Sequence, residues 1–558
     1  MRGSRNNIIK VGFFHSLGNS ATYSLDLIVA SALINIAGLA VPLTVMQVYD
    51  RIIPYHATGS LMWLALGASI AILFETILKI IREKIGSGLS MRYEYSISNQ
   101  CFEKVLRAPL EETEKENLNT LMDNLSAINI ISTAYCKKIL VSLIDFPFAI
   151  LYLFTVWIIF PKVGHFLIWI LSSMAIITIF FRPTYRYLHH RQKKDSNNCM
   201  DFIIESIKKV HFIKAFSLEE RMLRSFEQEQ FKLSKSDFWA NISRNLPADL
   251  QVMISQLTIL GCLIIGAPDV INRSTTIGVL VTSMLLSSRA IQSFQSLGSH
   301  WIRYGEIEIA SKKVNHLMSF ESSISEDYLD PASIRGNLTV NGLCYNYGLG
   351  EDDSVLGVNL DIKANEIVAV TGPNFISLSV LAEMMCALRK PPIGKIMLDE
   401  YNLEFFNRES LNNIIEYVPL NASLLPGTIL DNIARFNPEH RLTAQQLADN
   451  IGLSAYASKL PKGLYTVVDR KTQSTLTSSF VQLISLARAL VANPKVLIID
   501  QIEIGLDQTS RDTFLDIIKQ ISGQMTIVLI GENQEVLNLA DKVYRFENNE
   551  IICKLKKS

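Results

Sequence analysis

The apolar run EIVAVT leads into Gly372-Pro-Asn-Phe-Ile-Ser-Leu-Ser379. A strand that turns into a helix there could cradle phosphate through a loop of the form GxxGxGK[ST]. In such a loop, glycines let backbone N–H groups wrap the phosphates, and a lysine reaches the β and γ oxygens. Here Phe375 and Ser377 stand at two glycine positions and Leu378 at the lysine position, while Gly372 and Ser379, a candidate Mg²⁺ ligand, remain. Side chains at Phe375 and Ile376 are expected to crowd the cradle, and the missing cation removes the main charge that would offset a triphosphate. The segment predicts no tight hold on ATP. Other ionisable residues, Asp26, Glu75, Asp145 and Arg289, fall in or near long apolar stretches, where charge marks a pathway or an internal pair. For Asp145 a place at a helix end near the membrane surface is expected. The seven cysteines, Cys101, Cys136, Cys199, Cys262, Cys344, Cys386 and Cys553, form no CxxC pair or His-rich cluster, so they are read as reduced, mostly buried apolar side chains, with a metal site as the remote alternative.

These residues need two kinds of scaffold. Hydrophobic residues make up 49% of the 558 and charged ones 19%, and mean hydropathy is +0.22, a composition between membrane and soluble proteins. Six stretches, 25–48, 60–81, 139–160, 163–181, 250–265 and 277–294, are long and apolar enough to cross a hydrocarbon layer of ~30 Å. The first follows Arg2, Arg5 and Lys10 without a small-residue cleavage site, and is read as a retained span. Gln256, Ser287, Ser288 and Arg289 in the last two spans must face a bundle interior. Between the spans lie the long Lys/Arg-containing segments 82–138 and 182–249, expected as cytoplasmic helical extensions together with both termini. Residues 1–24 are then a short leading segment, 25–320 an all-α transmembrane domain, and 321–334 a linker. Short apolar runs alternate with helical ones through 335–558, the pattern of an α/β domain with a buried parallel sheet. Lys plus Arg and Asp plus Glu both total 53, so no global field points to a nucleic-acid partner.

The membrane stretches LAVPLTVMQVYDRIIP, LIDFPFAILYLF and GVLVTSMLLSSRAIQSF are similar to those of type I secretion ABC transporters. PPIGKIMLDE, LLPGTILDNI and SLARALVANPKVLIID resemble, in the right order, three segments of the ABC nucleotide-binding domain. This resemblance runs over nearly the whole chain and implies an ABC exporter half: six spans followed by a P-loop NTPase-like domain using ATP and Mg²⁺. It also implies a multi-pass protein of a bacterial inner membrane, in contact with lipid, a second ABC half, a periplasmic adaptor and an outer-membrane channel. Arg289 resembles an arginine common in this subfamily, expected to pair inside the bundle.

Carried over position by position, the resemblance implies lost chemistry. Asp500 stands at the Walker B aspartate, a Mg²⁺ ligand, but Gln501 replaces the catalytic glutamate, and an amide cannot accept a proton from attacking water. Glu532 replaces the switch histidine and would repel a γ-phosphate, and Leu420 replaces the Q-loop glutamine. The signature segment is Leu476-Thr477-Ser478-Ser479-Phe480, where side chains replace the glycines that permit close approach. Tyr347 falls where the family stacks an aromatic on adenine, with an ordinary strand aromatic as the alternative, and Asp507 falls at a dimer contact. The expectation is an exporter subunit without hydrolysis of its own, paired with an active half. The alternatives are a membrane scaffold or regulator that transports nothing, and a conventional ATP-driven exporter.

Overall fold

The computed structural model describes residues 21–114, 116, 118–134, 139–320, 334–346, 354–406, 408–411, 413–469, 472, 475–547 and 550–555. Most of the expected leading segment 1–24 and nearly all of the linker 321–334 lie outside them. The chain divides into two units, one of residues 1–106 and 115–320, the other of residues 107–114 and 321–558.

The first unit is helical. Its long helices are α1 (Ala21–Ala37), α2 (Ala40–Gln47), α3 (Thr58–Arg107), α4 (Leu140–Ile159), α5 (Pro161–Lys208), α6 (Glu219–Ile271) and α7 (Ile277–Met318). Among the described residues, six helical stretches are long and apolar enough to cross a membrane. α3, α5 and α6 run for 50, 48 and 53 residues, each ~70–80 Å at 1.5 Å per residue and more than twice the hydrocarbon thickness. The polar segments are therefore continuations of the spans rather than separate loops. A π-helical turn, Val48–Ile52, follows α2, and Asp50 there accepts from Thr276 Oγ1 at 2.7 Å and Gly278 N at 2.9 Å, pinning the start of α7. The core of this unit holds Val156, Leu167, Met174, Leu286 and Ile291.

Polar side chains inside the spans have found one another. Arg289 bonds Glu75 at 3.2 Å, the internal pairing expected of it. Asp145 departs from expectation: it bonds Arg82 at 3.0 Å through both carboxylate oxygens and accepts from Asn35 at 3.1 Å. A cation 63 residues away, whose Nη1 bridges both carboxylate oxygens, outweighs solvation at a helix end, because a charge-assisted hydrogen bond is strong where water is scarce.

The second unit is α/β. Its main sheet runs β12-β11-β3-β10-β9-β6, with β3 (Ile367–Thr371), β6 (Ile415–Val418), β9 (Val496–Asp500), β10 (Thr526–Ile530), β11 (Lys542–Glu547) and β12 (Glu550–Leu555). All neighbours pair in parallel except β12, which is antiparallel to β11. IVAVT, VLIID and TIVLI are buried at every position, as strands covered on both faces must be. A second, antiparallel sheet orders β2-β1-β4-β5, from β1 (Leu338–Asn346), β2 (Ser354–Ile362), β4 (Ile393–Leu398) and β5 (Tyr401–Asn402). The register pairs Ile530 with both Asp500 and Val370, so the carboxyl ends of β3, β10 and β9 lie level. Ligands of parallel sheets bind beyond such ends.

Candidate nucleotide site

The phosphate-loop segment leaves β3 and enters helix α8 (Phe375–Met385) without an open loop between them. Asn374, extended at φ −115°, ψ 97°, caps the helix: its Oδ1 accepts from Ile376 N at 3.1 Å and Ser377 N at 3.3 Å. A phosphate loop offers such amides to the ligand; here a side-chain carbonyl holds them, as N-cap residues do. Ser377 Oγ turns back to Asn374 O at 3.1 Å. Ser377 O in turn accepts from the Tyr345 hydroxyl at 2.8 Å. Gly372 fits because a Cβ there would fall 2.6 Å from Phe546 Cβ. The side chain of Phe375 is outside the described residues and Ile376 is exposed; among the described residues, the group on the cradle amides is Asn374.

Leu378 is fully buried in an apolar cluster with Leu381, Val368, Val370 and Ile498. Its side chain belongs to the sheet-facing side of α8, not to the ligand side.

Asp500, at the end of β9, is also satisfied within the chain. Its Oδ2 accepts from Ser379 Oγ at 2.7 Å and from the Tyr417 hydroxyl at 3.1 Å, and its Oδ1 accepts from Gln501 Nε2 at 3.0 Å. Gln501 also reaches Ser379 Oγ at 3.2 Å, from a left-handed backbone at φ 49°. It is buried and turned toward the phosphate-loop serine rather than outward. Burial, with Asp500 beside it, pushes the Tyr417 phenol up, so this hydroxyl remains a donor. Sequence reasoning missed Tyr417, although its place in the strand before Leu420 is a signal that could have found it.

Glu532 is exposed after β10. Behind it stands a carboxylate the sequence did not single out. Glu503 is buried on the turn Ile502–Gly505, accepts backbone N–H groups of Asn533 and Glu532, and packs against Gly531. Burial raises the pKa of Glu503. Leu420 is half-buried and supplies only its carbonyl, to Gln482 Nε2.

The signature-like segment opens helix α9 (Ser478–Val491). Thr477 caps it, accepting from Phe480 N at 3.3 Å, and Leu476 packs against the core that buries Phe480. Ser479 Oγ donates to Gly505 O at 3.2 Å and accepts from Asp507 N at 3.0 Å, while Ser478 lies beside Gly505. Asp507 caps helix α10 (Gln508–Ile521) through Ser510 N, and hydrogen bonds from Ser510 hold its carboxyl below the usual range. Tyr347 lies outside the described residues.

A Mg²⁺-triphosphate would need the cradle amides, a lysine ammonium and the Asp500 carboxylate at once. As placed, the residues do not fit it: Asn374 holds two of the amides, Leu378 is in the core, and three side chains fill the Asp500 oxygens. Among the described residues no His/Cys/Asp/Glu cluster could hold a metal ion instead.

Comparison with known proteins places this architecture. Residues 25–294 match the model of the ABC transporter transmembrane region, and residues 355–502 that of the ABC transporter. The chain belongs to the ABC transporters. It is a multi-pass membrane member, an all-α domain with six candidate spans followed by an α/β nucleotide-binding domain. It is 23% identical over 532 residues to the leukotoxin translocation ATP-binding protein LktB of Mannheimia haemolytica, and to its namesake from Mannheimia glucosida, covering 95% of this chain and 75% of each relative. A bacterial Atm1-family ABC exporter with ATP bound shares the fold, with a TM-score of 0.82 at 16% identity, covering 95% of this chain and 94% of that one.

Beside the site, burial pushes the Glu416 carboxyl up to about 7 from its ordinary 4.5, against the pull of Arg435. The folded state thus binds this proton more tightly than the unfolded chain. The resulting stability, at most about 3 kcal/mol, is full below 4.5 and lost as pH rises through 7. Thermal unfolding of the chain and of Glu416→Gln at pH 5 and pH 8 tests this. The wild type should lose several degrees more than the variant across that interval; equal losses would show that Glu416 does not titrate there.

Proposed function

We propose that this chain is the catalytically impaired half of an ABC exporter of the type I secretion kind, working with a second ABC half that hydrolyses ATP. Its relatives are named for toxin translocation, which supports a polypeptide cargo, a bacterial inner-membrane location with the nucleotide domain and termini cytoplasmic, and an adaptor and outer-membrane channel as further partners. The transmembrane domain is assigned to 25–320 and the nucleotide-binding domain to 335–558.

The observation that carries the reading is the Asn374 cap: the amides that would wrap phosphate are held by the chain's own side chain. Two copies of this chain would join a closed phosphate loop to an altered signature segment at both composite sites. A competent partner would bring one working loop, with Thr477 to Phe480 of this chain facing it. A scaffold that transports nothing is disfavoured by the ionisable belt inside the spans, which is costly to keep without a pathway.

Equilibrium binding of Mg²⁺-ATP to the purified full chain is the test, with an ABC half that keeps an intact phosphate loop as the positive control. No binding below millimolar ATP is expected. Micromolar affinity would end this reading and return a nucleotide-driven role.

A further inference from the structure

Two spans of the first unit, α3 and α7, bring three cations together. Glu75, Lys79 and Arg82 fall at i, i+4 and i+7 on α3, one stripe of the helix. Glu75 Oε1 accepts from Lys79 Nζ at 2.6 Å and from Arg289 Nη1 of α7 at 3.2 Å, so two cations share a single carboxylate oxygen. Beside them Arg82 bonds Asp145 of α4 and, at 3.1 Å, Ser31 Oγ of α1. Asn35 joins Asp145 to the Tyr152 hydroxyl, whose donor bond to Asn35 O is 2.8 Å. The belt therefore sets Lys79, Arg82 and Arg289 against Glu75 and Asp145, and one positive charge stands uncompensated among these residues.

The arrangement has a front and a back. The Glu75 side chain is 7% exposed, whereas those of Arg289 and Lys79 are 35% and 48% exposed. The carboxylate lies behind and orients the cations, which present their remaining N–H groups outward. Arg289 sits twelve residues into α7, ~18 Å along it. That is near mid-depth of a ~30 Å hydrocarbon layer, deeper than the headgroup region. A cationic surface at that depth calls for an anion arriving along a polar path.

We propose that Arg289 and Lys79, held by Glu75, form a carboxylate-binding contact on the export path, engaging Asp and Glu side chains of a polypeptide passing through. This rests on the exporter reading above, and extends it from fold to a cargo-contacting site. Arg289 is suited to it because its planar guanidinium can keep Glu75 on one nitrogen and take a second carboxylate on the others.

The test is binding of a fluorescein-labelled peptide of alternating Glu and Gly to the full chain in phosphatidylcholine nanodiscs without nucleotide, read by anisotropy against a Lys/Gly peptide. The acidic peptide should bind with a salt-sensitive affinity and the basic one should not. Arg289→Gln and Lys79→Gln should each weaken it about tenfold, the scale of one charge-assisted hydrogen bond. Arg289→Lys, which keeps the charge and controls for folding, should retain most of it. Unchanged binding in Arg289→Gln, or equal binding of both peptides, overturns the proposal. So does loss of co-purifying phosphatidylglycerol in Arg289→Gln with peptide binding intact, which would make the belt a lipid contact. Because no ATP is present, micromolar ATP binding in the separate experiment would overturn the impaired-half reading and leave this result standing.

Discussion

Leu378→Ala is expected to lower the stability of the nucleotide-binding unit by about 3 kcal/mol, and Leu378→Lys to destabilise it as much without creating an ATP site. Truncating a fully buried leucine removes its transfer free energy and leaves a cavity, together about 2–5 kcal/mol. A lysine there must bury an amine among Leu381, Val368 and Ile498, or drag the first turn of α8 outward to reach water. Neither releases the amides at Ile376 and Ser377 from Asn374. In a working phosphate loop the residue at this position points to the ligand, and an alanine would affect affinity rather than folding. Thermal unfolding of the full chain, following the transition of the soluble unit, separates the two cases. A loss of about 6–12 °C is expected for Leu378→Ala, at about 2–4 °C per kcal/mol for a unit of this size. A midpoint within a degree of wild type would mean that Leu378 does not pack as described.

Much of the architecture was legible because it follows from continuous apolar patterns. KVLIID and MTIVLIG read as buried parallel strands, and they lie adjacent as β9 and β10. The spans read from length and hydropathy, and the intervening polar segments from their helical period, which α3, α5 and α6 continue unbroken. The site was legible only where chemistry depends on the residue at its own position, as with leucine in place of lysine. What escaped depends on where side chains cross. Tyr417 donates to Asp500 across 83 residues of sequence, and Glu503 reaches amides at Glu532 and Asn533 on the next strand's loop. Asp145 was misjudged for the same reason, since its partner Arg82 lies on another helix. Asn374 is local, but its role depends on a helix that begins at once after it, and the glycine-loop template directs attention to positions 375–378 instead.

In the complex with a competent partner, ATP turnover is expected to depend on only one of the two glutamate positions. Replacing the partner's catalytic glutamate by glutamine should lower turnover about 10²- to 10⁴-fold, the usual loss of a general base. Restoring the acid in this chain, Gln501→Glu, should leave turnover within about twofold, because on the proposed reading the Asn374 cap keeps nucleotide out of the loop that this base would serve. The new carboxylate would also lie against Asp500, where Gln501 Nε2 now donates, and like charges at that distance disfavour one another. This chain would still matter through its signature segment, which opens α9 with its cap at Thr477 and its second serine tied to Gly505 and Asp507. A bulky Ser478→Arg should therefore impair turnover at the partner's loop while Gln501→Glu does not. Steady-state ATPase rates of the co-purified complex, with the two substitutions made separately, decide the matter. A tenfold or greater rise with Gln501→Glu would require ATP at this chain's own loop, and the Asn374 cap would then have to open in the assembled transporter.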